Sequence, residues 1–394
     1  MTLVDDARAL LPDLVRLRRE IHADPELALR LPHTQQRVIA ALDGLGLEIT
    51  RGEGLDSVVA VLRGGHPGPA VLLRGDMDAL PLHEQADVPF RATGDAMHAC
   101  GHDLHVAGLV GAARLLAARR DELHGDVVFM FQPGEEVGDG ARLMVEEGLL
   151  EITGTRVAAA YGLHVVAGPR GIFSTRPGPL MAGAFELQVT VRGKGGHASQ
   201  PHFAVDPVPP TAEIVTALQS YATRRHDVFD PVVITVTQLQ AGAAAFNVIE
   251  GTARLGASIR VLSAPAHERV VAEIPALIEH IAAAHGCTAE VRLELLCPPL
   301  SNDAELGRRA LETLADTFGQ DRVWVTPEPV MGSEDFSYVL REVPGVYFFL
   351  RATPADIDPE QAAPNHTPHV VFDDSVLGDQ AAALAAVALT HLNA

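Results

Sequence analysis

Apolar residues recur at helical spacing from Ala7 to Ile21 and again around Thr34–Leu45, predicting two helices at the start of the chain. The pattern then shortens into β-branched runs at Val58–Leu62, Ala70–Leu73, Val127–Phe131 and Val157–Leu163. Gly, Pro or charged turns bound each run, as they bound the buried strands of an α/β sheet. Between the runs, Val106–Arg120 and Ala141–Leu150 read as helices. This alternation predicts a wound sheet with helices on its faces, where sites gather at the carboxyl ends of strands.

From about Ala184 the period changes. "FELQVTVRG" alternates like a half-exposed strand, Asp206–Arg225 is helical, and "PVVITVTQLQ" and "GTARLGASIRVLS" are two further strands. A long amphipathic helix over Ala266–His285 and the strand "AEVRLELL" complete a β-α-β-β-α-β order, the ferredoxin-like arrangement. After Pro298–Pro299 a helix over Asp303–Phe318 and a strand near Val346–Leu350 return to the first grammar. The expected organisation is an α/β domain formed by 1–183 and 297–394, with a smaller sheet domain over 184–296 inserted into it.

Composition narrows the partners. The chain has 394 residues, too long for one ordinary core, and a net charge of −21. That charge argues against nucleic acid and anionic membranes, which select basic faces. No run of about twenty apolar residues predicts a membrane span. The acidic start "MTLVDDARALLPDL" does not read as a signal peptide. Three cysteines, Cys100, Cys287 and Cys297, are too few for a disulfide framework. A cytoplasmic location is the expectation.

The chemistry concentrates in "MHACGHDLH" at 97–105. Alone, this stretch leaves Cys100 open as nucleophile, metal ligand or buried thiol, since Cys-x-His is too short for the usual structural zinc spacing. Other segments add context. The strand Val127–Phe131 runs into "QPGEEVGDGA", with Glu135 and Glu136 at its carboxyl end, and "YGLH" delivers His164 to the same edge. "PNHTPHVVFDD" offers His366 from a Pro-bounded loop. Cys100, His102, Glu136, His164 and His366 form a mixed S/N/O set, enough for two metals if one ligand bridges, and leave Glu135 to serve as general base. Thiolate and imidazole favour zinc or neighbouring first-row ions over magnesium or calcium. His22, His267 and His285 have no comparable context and read as surface or core residues.

These motifs, in order over nearly the whole chain, resemble the metal-dependent amidohydrolases of the aminoacylase and carboxypeptidase-G group. The branch is the one containing hippurate hydrolases, N-acyl-amino-acid amidohydrolases and auxin-conjugate hydrolases. "IHADPEL", "LLRGDMDALPLHE", "MHACGHDLHVAGLVGAA", "FQPGEE" and "GLH" carry the likeness, followed by "VRGKGGHASQPH", "NVIEGTA", "GSEDFSYVL" and "NHTPHVVFDD". The resemblance implies a zinc-aminopeptidase-like mixed sheet flanked by helices, with the inserted ferredoxin-like domain as satellite. It implies Cys100 as a thiolate bridging two divalent ions (Zn, Mn, Co or Ni), His102, Glu136, His164 and His366 as the other ligands, and Glu135 as the base. Asp78 resembles the family's acid behind the ligands, with Asp103 and His105 as further candidates for that layer. His197 resembles a histidine that stabilises the oxyanion, often from a partner subunit, while Asn247 and Arg260 resemble residues that hold a substrate carboxylate.

The implied reaction is cleavage of the amide of an N-acyl amino acid, in a homodimer or homotetramer. A dipeptidase or carboxypeptidase on the same machinery, a cysteine hydrolase using Cys100, and a catalytically silent binding protein are the alternatives. The departures are small: Leu31 stands where the family usually has an acid, Glu250 where it has Pro, and "PHFAVDPVPP" is unusually rich in Pro and apolar residues. The last two fall in the inserted domain and bear on substrate detail and subunit contacts.

Overall fold

A computed structural model describes residues 2–393. Helix α1 (Leu3–His22) opens with a capping box, Thr2 accepting from the Asp5 amide while the Asp5 carboxylate accepts from the Thr2 amide. Helix α2 (Pro32–Leu42) begins with a proline, and the Glu26 carboxylate of "DPEL" accepts the amides of His33 and Thr34 at 3.1 and 2.8 Å. Glu26 therefore caps α2. Leu31 is wholly buried in the core instead of carrying an acid.

The larger unit comprises the chain up to Leu180, Ser301–Glu328 and the chain from Asp335 onward. Its strands are β1 (Glu48–Arg51), β2 (Val58–Leu62), β3 (His66–Asp76), β4 (His124–Gln132), β5 (Ala159–Val166) and β6 (Phe173–Thr175). Far downstream come β15 (Val323–Val325) and β16 (Gly345–Arg351). They form one mixed sheet in the order β1-β2-β4-β3-β5-β16-β6-β15. β4, β3, β5 and β16 are mutually parallel. Their carboxyl ends therefore share an edge, and Asp76, Gln132 and the His164–Val166 segment arrive there together. Burial on both faces explains their unbroken apolar runs.

The remaining helices of this unit are α3 (His102–Ala117), α4 (Gly140–Glu146), α7 (Ala304–Phe318), α8 (Ser337–Glu342) and α9 (Val376–Leu392). α3 starts four residues before the predicted Val106, so His102 and His105 both lie in its first turn. α9 was not legible as a helix because it is apolar on every side, and it is almost entirely buried against α1 and α3. Glycines make that packing close: a Cβ on Gly108 would lie 2.3 Å from Gln380, and one on Gly111 2.7 Å from Ala381.

The second unit comprises Met181–Leu300 and Pro329–Glu334. Short strands β7 (Gly178–Met181) and β14 (Leu300–Asn302) flank it in sequence. It holds an antiparallel sheet of order β10-β12-β8-β13, built from β8 (Gly183–Arg192), β10 (Val233–Gln240), β12 (Thr252–Val261) and β13 (Thr288–Cys297). Phe185, Leu187, Val189 and Val191 point into a core shared with Ile214 and Leu218 of α5 (Val208–Arg224) and Ile274 and Ile278 of α6 (Ala264–Ala284). A two-residue pairing of β9 (Gly196–His197) with β11 (Val248–Ile249) joins two loops of this unit.

Candidate metal centre

Three loops at the carboxyl edge of the parallel strands, together with the end of β5 and the start of α3, carry the donor atoms. Gly101 caps α3 in the left-handed region at φ +85°, and a Cβ there would stand 2.4 Å from Val165 Cγ2. Only glycine fits, and it turns Cys100 and His102 toward the same space. Cys100 Sγ lies 3.3 Å from His164 Nε2 and 3.2 Å from His366 Nε2. Glu136 Oε1 lies 3.5 Å from His366 Nε2 and 3.8 Å from His102 Nε2. Glu135 joins them, with a carboxylate oxygen within 4.8 Å of donor atoms of His102 and Glu136.

Surrounding groups fix these side chains. The Asp78 carboxylate accepts the amides of Glu135 and Glu136, each at 3.0 Å, and its Oδ1 faces His102 Nδ1 at 3.5 Å. His164 Nδ1 donates to the Val165 carbonyl at 2.7 Å, which leaves the Nε2 lone pair directed at Cys100. His105 Nδ1 donates to Asp76, while its Nε2 accepts the Val165 amide at 2.8 Å, so both ring nitrogens are satisfied. Asp76 also binds the fully buried Arg74, which reaches Asp335, Gln132 and Tyr347. His366 itself has a left-handed backbone, φ +66°, an uncommon state for a non-glycine residue.

Charge and burial are in conflict here. Burial pushes the Cys100 thiol up to about 12, against the pull of His102. Burial likewise raises Glu136 to about 7 and drives His164 well below the usual imidazole range. Burial also disfavours charge on Asp76, but Arg74, His102 and His105 together hold its carboxyl well below the ordinary value. A thiol held protonated near neutrality is the reverse of what a cysteine nucleophile needs.

The donor set instead fits divalent cations. Both ring nitrogens of His102 and Oε1 of Glu136 are buried without a hydrogen-bond partner, a costly state that a ligated ion relieves. Cys100–His102–His164 and Cys100–Glu136–His366 are each clustered within 4.8 Å, with Cys100 common to both. Sulfur, imidazole and carboxylate together suit first-row metals.

The structure thus brings Cys100, His102, Glu135, Glu136, His164, His366 and Asp78 together. His197, Asn247 and Arg260 belong to the second unit, where the Ala198 amide donates to the Asn247 carbonyl at 3.0 Å and Arg260 reaches Ser333 at 3.4 Å. Arg74, Asp76, Gln132 and Asn365 were not singled out from sequence. Asp76 carried a signal: it stands two residues from Asp78 in "GDMD" at the end of a strand.

Comparison with known proteins agrees with this geometry. The family description Peptidase family M20/M25/M40 matches residues 72–390. Thermostable carboxypeptidase 2 of Saccharolobus solfataricus is 35% identical over 99% of this chain and 98% of its own. N-acetylcysteine deacetylase of Bacillus subtilis is 35% identical over 86% of this chain and 87% of its own. The crystal structure of the Bacillus subtilis YXEP protein, described as a dinuclear metal binding peptidase from the M20 family, superposes with a TM-score of 0.83. It is 30% identical and covers 98% of this chain and 99% of its own. The zinc-aminopeptidase-like mixed sheet flanked by helices expected from the sequence is the fold observed. The chain belongs to peptidase family M20/M25/M40 and is a metallo-hydrolase of that family.

Proposed function

We propose that the chain hydrolyses the amide bond of an N-acyl amino acid, with Cys100, His102, Glu136, His164 and His366 holding two divalent ions and Cys100 shared between them. The observation that carries this reading is the Glu135–Glu136 pair, tethered through both amides to Asp78 beside an S/N/O donor set that is buried except at His366. When bound, the ions supply Lewis acidity, which polarises the amide carbonyl and acidifies water. Glu135 takes the proton of the attacking water and delivers it to the departing nitrogen, the work of a general acid/base. Asp78 keeps that carboxylate in register with the donors. The name of the Bacillus subtilis deacetylase supports an acyl-amino-acid substrate. The carboxypeptidase relative favours a second reading, a carboxypeptidase or dipeptidase on the same machinery.

The second unit enters the proposal through its motifs. His197 would stabilise the oxyanion, and Asn247 and Arg260 would hold the substrate carboxylate. The inserted unit over 184–296 would form the dimer contact. The pairing of His197 opposite Val248, next to Asn247, supports a joint role. A cytoplasmic location is part of the same reading, supported by three cysteines of which none forms a disulfide. No helix among the described residues is long and apolar enough to cross a membrane.

The test is the metal-stripped protein, reloaded with zinc, manganese, cobalt or nickel in turn. It is assayed against acetyl-, benzoyl- and longer acyl-amino acids and against dipeptides. Faster turnover of the acyl-amino acids is expected. A preference for dipeptides replaces this reading with the second one, and full activity after stripping overturns both.

A further inference from the structure

Asn365 precedes His366 in the loop that follows the last strand of the large sheet. Its side-chain amide reaches two other donor-bearing segments. Nδ2 donates to the Val165 carbonyl at 3.1 Å and to the Cys100 carbonyl at 3.3 Å, and it lies 3.8 Å from Cys100 Sγ. Oδ1 accepts the Ala167 amide at 3.3 Å. The partners fix the orientation: two carbonyls and a sulfur require the NH2 end, and one amide requires the oxygen.

The NH2 group has two protons for three acceptors, and the two on Cys100, its oxygen and its sulfur, lie within reach of the same nitrogen. The Val165 carbonyl also accepts from His164 Nδ1, so Asn365 and His164 share one anchor. The backbone completes the tie, because the His366 amide donates to the Ala99 carbonyl at 2.9 Å while His366 holds its left-handed φ of +66°. A single side chain therefore links the loop carrying Cys100, the strand end carrying His164 and its own neighbour His366.

We propose that Asn365 is a positioning residue that locks the Cys100, His164 and His366 segments in one geometry and, through its N–H directed at Sγ, tunes the sulfur as a ligand. This rests on the reading of Cys100 as an ion ligand given above. An N–H directed at a thiolate lowers the energy of the sulfur lone pair, and outer partners of this kind typically govern metal affinity by about 10- to 100-fold.

The experiment loads cobalt(II) into the full-length wild type, Asn365→Ala and Asn365→Asp. It reads the near-ultraviolet sulfur-to-cobalt charge-transfer band and measures affinity by chelator competition, with far-ultraviolet circular dichroism as the fold control. Asn365→Asp keeps the shape but turns an acceptor toward two carbonyls. Both variants are expected to bind cobalt about tenfold or more weakly. At saturation, their charge-transfer band is expected at longer wavelength, because the sulfur lone pair has lost its donor. A structural role alone would lower stability without moving the band of the saturated protein. Unchanged band position and affinity in whichever variants keep the native dichroism overturn the proposal. If neither variant keeps it, a tuning role is rejected in favour of a purely structural one. Wild type without a sulfur-to-cobalt band overturns the ligand reading of Cys100 itself, a result distinguishable from failure at Asn365.

Discussion

Replacing Asp78 with Asn isolates the tether of the glutamate pair. In the native structure each carboxylate oxygen accepts one backbone amide, from Glu135 and Glu136, both at 3.0 Å. Asn has one acceptor oxygen, so its NH2 end must oppose one of these donors. One hydrogen bond to a charged group is lost, worth about 1.5–3 kcal/mol. Because the loss falls on the segment that carries both carboxylates, it biases the loop away from the position seen here. At one decade of rate per about 1.4 kcal/mol, kcat/KM should fall by about 10- to 150-fold. Global unfolding in urea should lose no more than the same about 1.5–3 kcal/mol, so the protein stays folded under assay conditions. The assay is steady-state hydrolysis of the best acyl-amino acid, with metal content measured on the same samples. Activity within twofold of wild type at equal metal content would refute the tethering argument.

Four further outcomes follow from the same geometry. Glu135→Gln should abolish turnover while metal content stays near that of wild type; retained activity removes Glu135 from the role of base. Gly101→Ala adds a left-handed penalty of about 1–2 kcal/mol and overpacking of about 1–3 kcal/mol against Val165, so a lower thermal midpoint and weaker ion uptake are expected together. Arg74→Met leaves Asp76 and Asp335 as buried carboxylates without their guanidinium, and a loss of about 3–5 kcal/mol in urea unfolding checks it. Finally, if Cys100 is the ion ligand proposed above, it must bind as thiolate; burial holds the free thiol at about 12, so its proton must leave on binding at any pH below that value. Zinc affinity should therefore rise with pH between about 6 and 9, with proton release seen by calorimetry in buffers of different ionisation enthalpy. A pH-independent affinity contradicts it.

Much of the fold was legible because its strands are short, β-branched and bounded by turn residues, and because Asp303–Phe318 and Ala266–His285 are amphipathic. The sequence signals failed at both extremes of burial. α9 has no polar face, so no period marks it, and β1, with four exposed residues, has no apolar run. The start of α3 is hidden in the sequence because Gly101 and the buried His102–Asp103 pair look like loop residues until the tertiary structure makes them the cap and first turn. At the site, Cys100, Glu135, Glu136, His164 and His366 stood out because their residue types are chemically reactive. Asn365 and Arg74 did not, since an amide in a Pro-bounded loop and an arginine in a strand are tied to the site through partners more than fifty positions away.

The buried position of α9 has a consequence for the order in which the molecule can be made. α3 and α1 are complete in the chain long before the helix that covers them, and α9 lies roughly 200 residues beyond Leu180. At about 5–20 residues per second, the larger core waits about 10–40 s on the ribosome with its apolar helix faces uncovered. The interrupting segment between Leu180 and Ser301 can close its own sheet during that interval. Nascent chains stalled before Val376 should therefore recruit chaperones that cover apolar surface, and those extended past Leu392 should release them.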